Sequence, residues 1–406
     1  MMPSPVLFQI LLALLLGVLA GIITGLTPGI HINLVAVLLL AASPVLLLSF
    51  PVLALACFII SMSVVHTFLD SIPSIFLGAP DAATALGVLP GHRYLLKGWG
   101  LMAVKLTIIG SLGAALLSVL LFPLFVLIVR YAYPFFQAVM GWLLLAVALF
   151  MVLRDKKRLW AALIFLLAGS LGLIVLNLPG LENPLFPLLS GLFGVSTLLI
   201  SLNDETIIPP QETTDPRIKV KKGIAIKALA SGQFSGFLTA MLPGLGAATA
   251  AVLSLQITRD LGDHGYMLLQ GSINTVNFIL SLATLLVLGK ARNGSIIAVQ
   301  QLVDSVGVVH ILLFLAVTLV AAGLGAMLAL WFGRVFSKLI SKVNYKALVW
   351  GIVAFLVGLT PLLSGWTGLL ILVTATALGV IPATVKTARV HGMGCILVPV
   401  MLYFLL

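Results

Sequence analysis

GVLAGIITGLTPGIHIN (17–33) and GQFSGFLTAMLPGLGAA (232–248) are the two stretches whose reading decides the fold. Each sets two glycines four residues apart, then a Pro-Gly pair, then a second apolar run. Gly17, Gly21, Pro28 and Gly29 recur as Gly232, Gly236, Pro243 and Gly244, at a constant spacing of 215. Glycines four apart share one helix face and let a second helix approach closely. Proline lacks the backbone N–H and glycine has no β-carbon, so a Pro-Gly pair interrupts a helix. One copy would indicate only close packing. Two copies in register, each opening one half of the chain, indicate an internal repeat.

The composition around these stretches is that of a membrane protein. Of 406 residues, 61% are hydrophobic and 8% charged, and the mean hydropathy is +1.25. Soluble domains carry roughly a quarter charged residues, and a helix needs roughly 20 apolar residues to cross the hydrocarbon core. Apolar runs suggest spans at 5–27, 30–48, 51–70, 99–129, 131–153, 159–176 and 184–201, then at 223–241, 247–258, 266–289, 307–332, 347–365, 366–382 and 394–406. The first run lacks the basic flank of a cleaved signal peptide and reads as a retained helix. Cys57 and Cys395 sit apart in apolar runs, which suggests neither a disulfide nor a metal site. The net charge of +11 lies in short loops between spans, where it sets topology, so no nucleic-acid partner is expected.

Three regions follow: a first membrane repeat (1–202), a polar linker (203–222) and a second repeat (223–406). Each half carries an interrupted segment after its hairpin. In the first, Ser74–Gly98 is punctuated by Gly78, Pro80, Pro90 and Gly91; in the second, KARNG (290–294) breaks the stretch from Gly289 to Val306. With the N-terminus outside and both Pro-Gly hairpins re-entrant, nearly every Lys and Arg faces the cytoplasm, including those of the linker. Lys105 and Lys227 lie near the inner boundary, and only Arg130, Lys290 and Arg292 remain outside, as the positive-inside rule asks. The first half then starts outside and the second inside. The expected fold is an all-α, multi-pass protein of the cell membrane, built from two inverted-topology repeats with helix breaks.

Broken helices expose backbone groups that only protein or a wet cavity can satisfy. Helix starts after Pro28-Gly29 and Pro243-Gly244 present electropositive N-terminal ends, suited to an anionic group. His31, Asn33, Gly246, Asn274 and Thr275 lie beside these breaks or on the facing span and join the substrate candidates. His66 and Asp70, four apart on one helix face, are candidates for a coupling ion, with Ser272 and Asn277. The same groups also serve as interhelical hydrogen-bond partners in membrane bundles, and both readings stay open for each. Asp81 reads as an N-cap, with Asp304 similar. No cofactor is expected beyond a coupling H+ or Na+.

Three function classes are weighed. A carrier fits the duplicated breaks. A polyprenyl-phosphate translocase would also use helix ends against an anion. An intramembrane enzyme finds little: Gly232-Gln-Phe-Ser-Gly236 only faintly matches a rhomboid-type serine motif, there is no metalloprotease histidine pair, and no P-loop is present.

The chain as a whole resembles the TctA family, the large membrane subunit of tripartite tricarboxylate transporters, and most closely its shorter archaeal members. PGLG (243–246) and PGIH (28–31) carry the likeness, with SIPSIFLGAPDAATALGVLPGHRYLLKG (71–98) and GVIPATVKTARVHGMGCILVPVML (379–402). SINTVN (272–277) stands where bacterial members have Glu-x-x-Asn-Asn: Asn274 keeps the first Asn, Thr275 replaces the second, and Gly271 replaces the Glu. The resemblance implies secondary transport of an organic anion, a di- or tricarboxylate, driven by H+ or Na+. It also implies a small membrane subunit and an extracytoplasmic binding protein as partners, beside membrane lipids and possible oligomer formation.

Overall fold

The computed structural model describes residues 5–27, 32–77, 88–202, 208–213, 220–241, 250–251, 254, 258, 261–291, 293–303, 305–342 and 344–406. They form helices and, among the described residues, no strand. The first half supplies α1 (Pro5–Leu26), α2 (Ile32–Leu46), α3 (Val52–Leu69), α4 (Ser71–Phe76), α5 (Val88–Leu96), α6 (Gly100–Leu120), α7 (Phe122–Arg154), α8 (Arg158–Leu176), α9 (Leu185–Leu189) and α10 (Ser196–Ser201). The second supplies α11 (Lys222–Met241), α12 (Gly262–Leu288), α13 (Gly294–Leu302), α14 (Val308–Ile340), α15 (Tyr345–Thr384) and α16 (Gly394–Leu405). Among the described residues, seven helices are long and apolar enough to cross a membrane, or eight when the bent α7 counts as one span.

Several boundaries differ from the sequence expectation for identifiable reasons. The run 99–129 divides at Leu121, because Pro123 starts a new helix where its missing N–H is harmless. That helix continues to Arg154 with a bend between Phe136 and Ala138, just past Pro134. Pro90 and Gly91 do not break the chain but lie within α5, with Pro90 in its first turn. The α14 helix runs on past 332 and carries Arg334 and Lys338, since a charge at a membrane edge does not end a helix. The expected division of 347–382 does fall at Gly365, whose φ of 64° breaks an otherwise continuous α15.

Two helices lie at the centre. α3 is buried from Ala54 to Leu69 apart from Phe58, and α12 is buried over nearly its whole length. A helix apolar on all sides has no lipid-facing stripe to spare. By contrast α1, α7, α8 and α15 turn Phe8, Leu19, Trp142, Leu166, Leu362 and Trp366 outward, as lipid contact requires.

The duplicated glycines explain how the centre is dressed. A β-carbon at Gly21 of α1 would lie 2.7 Å from the Met62 carbonyl oxygen and 2.8 Å from Val65 Cβ of α3, and one at Gly17 would collide with Ser61. On α11, a β-carbon at Gly232 would collide with Ser272 and one at Gly236 with Val276, both on α12. The partners themselves match: Ser61 and Val65 stand to Ser272 and Val276 at a constant spacing of 211. In both halves a Gly-x3-Gly face therefore receives a Ser-x3-Val face.

One end of this bundle is tied together by side chains. The Phe76 ring, at the close of α4, lies 5.9 Å from that of Phe336, near the close of α14, and Gly100 sits beneath it. α12 begins here, its Asp263 and His264 bonded to Arg93 and Tyr94 of α5. Gln211 fastens the linker to the same place: its amide accepts from the Gly100 N–H at 3.0 Å and donates to the Leu95 carbonyl at 2.9 Å. The Glu212 N–H adds a bond to the Gly98 carbonyl at 2.8 Å.

Candidate functional site

The geometry of the expected substrate site is only partly on view. Pro28, Gly29, His31, Pro243, Gly244 and Gly246 lie outside the described residues, as do Asp81, Arg292, Asp304 and the Asn33 side chain. The remaining candidates sit where α3, α4, α6 and α12 meet.

Asp70 stands at the junction of α3 and α4, where its N–H still donates to the His66 carbonyl at 2.9 Å. Its carboxylate accepts a hydrogen bond from the Asn274 amide of α12 at 3.2 Å. Asp70 and His66 are 5% and 4% exposed. The sequence set Asp70 among ion candidates and Asn274 among substrate candidates. The fold makes them neighbours across 204 residues. A buried carboxylate is costly unless hydrogen-bonded or charge-balanced, and ionisable groups at membrane depth mark functional sites.

The next residue extends the polar cluster. The Ser71 and Thr107 hydroxyls are 3.1 Å apart, which ties α4 to α6. Ser111 Oγ donates to the Gly271 carbonyl at 3.0 Å, and Ser272 Oγ donates to the carbonyls of Leu268 at 2.8 Å and Gly110 at 3.2 Å. Thr275 Oγ1 turns back to the Gly271 carbonyl at 3.4 Å. The crossing is tight because Gly110 and Gly271 have no side chains: a β-carbon on either would collide with the other helix's backbone. Ser272 and Thr275 thus spend their hydroxyls on helix contacts, while Asn274 reaches Asp70. Asn277 sits next to Gly236, with its carbonyl accepting from Ser281 at 2.8 Å.

Reading by residue type overlooked the α6 contribution of Thr107, Gly110 and Ser111. A small-residue signal, Gly110-Ser111-x-Gly113, stood there unused. It also overlooked the hydrogen-bonded pair of Asp155 and His391, whose side-chain atoms are 2.9 Å apart. This pair joins the α7–α8 turn to the 385–393 segment. Asp155 also accepts from the N–H groups of Lys157 and Ala388 at 2.8 and 3.2 Å. Burial raises its carboxyl, but the Lys157 amide, the His391 ring and the Ala388 amide outweigh this and hold it below the usual carboxylate range. Nearby, the Lys157 ammonium donates to the Val385 carbonyl at 2.8 Å, and Arg389 donates to Thr197.

Among the described residues, the serine of Gly232–Gly236 has no base beside it. Ser235 bonds the Ser254 hydroxyl and faces the Ala250 carbonyl, neither of which is a base. Gln233 accepts from Ser118 at 3.0 Å and donates to the Ala114 carbonyl at 3.1 Å, so it pins α11 to α6. Among the described residues no group of three His, Cys, Asp or Glu could hold a metal ion.

Comparison with known proteins gives the lineage. An uncharacterized protein of the archaeon Methanocaldococcus jannaschii is 29% identical over 388 residues, 93% of this chain and 94% of its own length. No solved structure matches. The profile of the family described as "Tripartite tricarboxylate transporter TctA family" matches residues 11–394. With the helical, multi-pass architecture of its described residues and a family match over nearly its whole length, the chain belongs to the tripartite tricarboxylate transporter TctA family.

Proposed function

We propose that this chain is a secondary carrier of an organic anion, a di- or tricarboxylate, driven by H+ or Na+ and working by alternating access. Two halves of inverted topology, 1–202 and 223–406, meet around the substrate, and the polar linker 203–222 lies in the cytoplasm with the N-terminus outside. The substrate carboxylates lie against the helix starts after Pro28-Gly29 and Pro243-Gly244, with His31, Asn33, Gly246 and Thr275 beside them. Asp70, with His66 one turn away, takes the coupling ion, and Ser272 and Asn277 shape its surroundings.

One observation carries this reading: the bond from Asn274 to Asp70. It joins the acid-bearing helix of one half to the second half's counterpart of that helix, at a crossing buried in the bundle. A cation arriving at Asp70 changes that bond, and the bond links the two parts that must move. The opposed running of the halves is supported by the packing. α3 and α4 run toward the end where α12 begins, although α3 and α12 present matching Ser-x3-Val faces to their glycine helices. That end also carries Arg93, Lys97, Lys221, Lys222, Arg334 and Lys338, as the cytoplasmic side should. From the family follow two partners, a small membrane subunit and an extracytoplasmic binding protein.

Reconstitution into liposomes tests the proposal. A panel of labelled di- and tricarboxylates under imposed proton and sodium gradients should give gradient-dependent uptake of at least one anion. Movement of labelled polyprenyl phosphate between leaflets, without uptake of any carboxylate, would replace the carrier reading by a lipid translocase.

A further inference from the structure

The side-chain ties at the basic end of the bundle form a lock on one side of the carrier. Arg93 Nη2 lies 2.7 Å from Asp263 Oδ1, and Tyr94 Oη lies 2.7 Å from His264 Nδ1 with the rings edge to face. Tyr94 itself is buried. Its phenol is pushed above the ordinary range by burial and by the Asp263 charge, against the opposing Arg93 charge, so it stays protonated and able to hydrogen-bond. Both contacts run from α5, in the interrupted segment of the first half, to the first turn of α12 in the second. Gln211 braces the end of α5 from the linker through Leu95 and Gly100.

The start of α3, at the opposite end, has no counterpart among the described residues. At the spacing of 211 that relates α12 to α3, Gly262, Asp263 and His264 correspond to Pro51, Val52 and Leu53. These three offer no side-chain hydrogen-bonding group. A two-part carrier whose ends were alike would have no built-in preference for either access state. At these two related helix starts the side-chain ties to the other half are, among the described residues, on α12 alone, so they bias the equilibrium.

From this asymmetry we infer that Arg93–Asp263 and Tyr94–His264 are the gate of the carrier at its basic face. The gate is shut in this conformation, and it must part each time the substrate site opens to that face. The inference rests on the carrier reading and specifies how access to its site is regulated. The contacts lie on the path of the motion: α5 belongs to the Ser74–Gly98 interruption, and α12 carries Asn274 to Asp70.

The test has an arm that does not need transport. Cys57 and Cys395 are replaced by Ser, a cysteine replaces Ser71 behind the gate, and a membrane-impermeant thiol reagent is added at the basic face. Arg93→Glu and Asp263→Arg should each speed labelling by about threefold or more, the scale of an exposed ion pair turned repulsive. The double reversal should return the rate to that of the parent. Unchanged rates in both single variants, or a double variant as fast as the singles, would overturn the gate. In the transport arm, cysteines at positions 93 and 263 joined by a bismaleimide should stop uptake, and uptake persisting in crosslinked protein would also overturn it. Were the parent protein to move no anion at all, the carrier proposal would fail while the labelling arm still judged the gate.

Discussion

Replacing Gly271 by alanine puts the helix crossing to a direct physical test. A β-carbon there would lie 2.8 Å from the Thr107 carbonyl carbon and 2.9 Å from its Cα, and nearer still to its oxygen. All three atoms are backbone, so no side chain can swing away. Restoring ordinary contact requires α6 and α12 to part by roughly 1 Å. Such overpacking costs about 1–3 kcal/mol. Parting the helices also stretches the Ser111–Gly271 bond, now 3.0 Å, at a further cost of about 0.5–1.5 kcal/mol. Against this, alanine in a helix gains up to about 1 kcal/mol over glycine. The sum is a net loss of about 0.5–3.5 kcal/mol. Gly351 in α15 is the control: nothing lies within 4 Å of a β-carbon there, so Gly351→Ala should stabilise. Thermal unfolding of the purified protein in detergent compares the two. If Gly271→Ala melted at or above Gly351→Ala, the close crossing of α6 and α12 would be wrong.

Three further outcomes are expected. Asp70→Asn keeps an oxygen for the Asn274 amide, so thermal stability should shift by under about 1.5 kcal/mol while gradient-driven uptake is lost; normal uptake would remove Asp70 from ion coupling. Leucine in place of Gly29 or Gly244 should abolish uptake with insertion preserved, and normal transport by both would dismiss the helix-end site. Asp155 contributes stability above its unfolded-state value of about 3.9, and because its folded-state value is lower still, that contribution disappears as pH falls through it. The unfolding midpoint should therefore drop on acidification below about pH 4, and drop less in Asp155→Asn, as scanning calorimetry in detergent would show.

How much of this was legible beforehand depended on the kind of signal. Hydropathy placed most spans, because about 20 apolar residues in a row have few alternatives. It missed the division at Leu121, where one apolar run hides two helices and only Pro123 marks the joint. The glycine repeat was legible because glycines and Pro-Gly pairs are rare enough to be matched by eye. Its partner repeat, Ser61/Val65 with Ser272/Val276, was not, since serine and valine are common in any apolar helix and only packing singles these out. Asp70 and Asn274 each drew attention as polar groups in apolar spans, yet nothing along the chain says they touch. Thr107, Gly110 and Ser111 drew none, because small and hydroxyl residues in a membrane helix become informative only once a second backbone lies against them.

The Gln211 bonds bear on how this polypeptide can be divided. Residues 208–213 are fastened to Leu95, Gly98 and Gly100, all upstream of them, so that stretch travels with the amino-terminal portion although it is drawn as part of a tether. Severing the chain ahead of residue 208 would strip a brace from one fragment and leave it dangling on the other. Severing it between 213 and 220 would leave each fragment with its own contacts, and co-expressed pieces cut there are the ones that should reassemble.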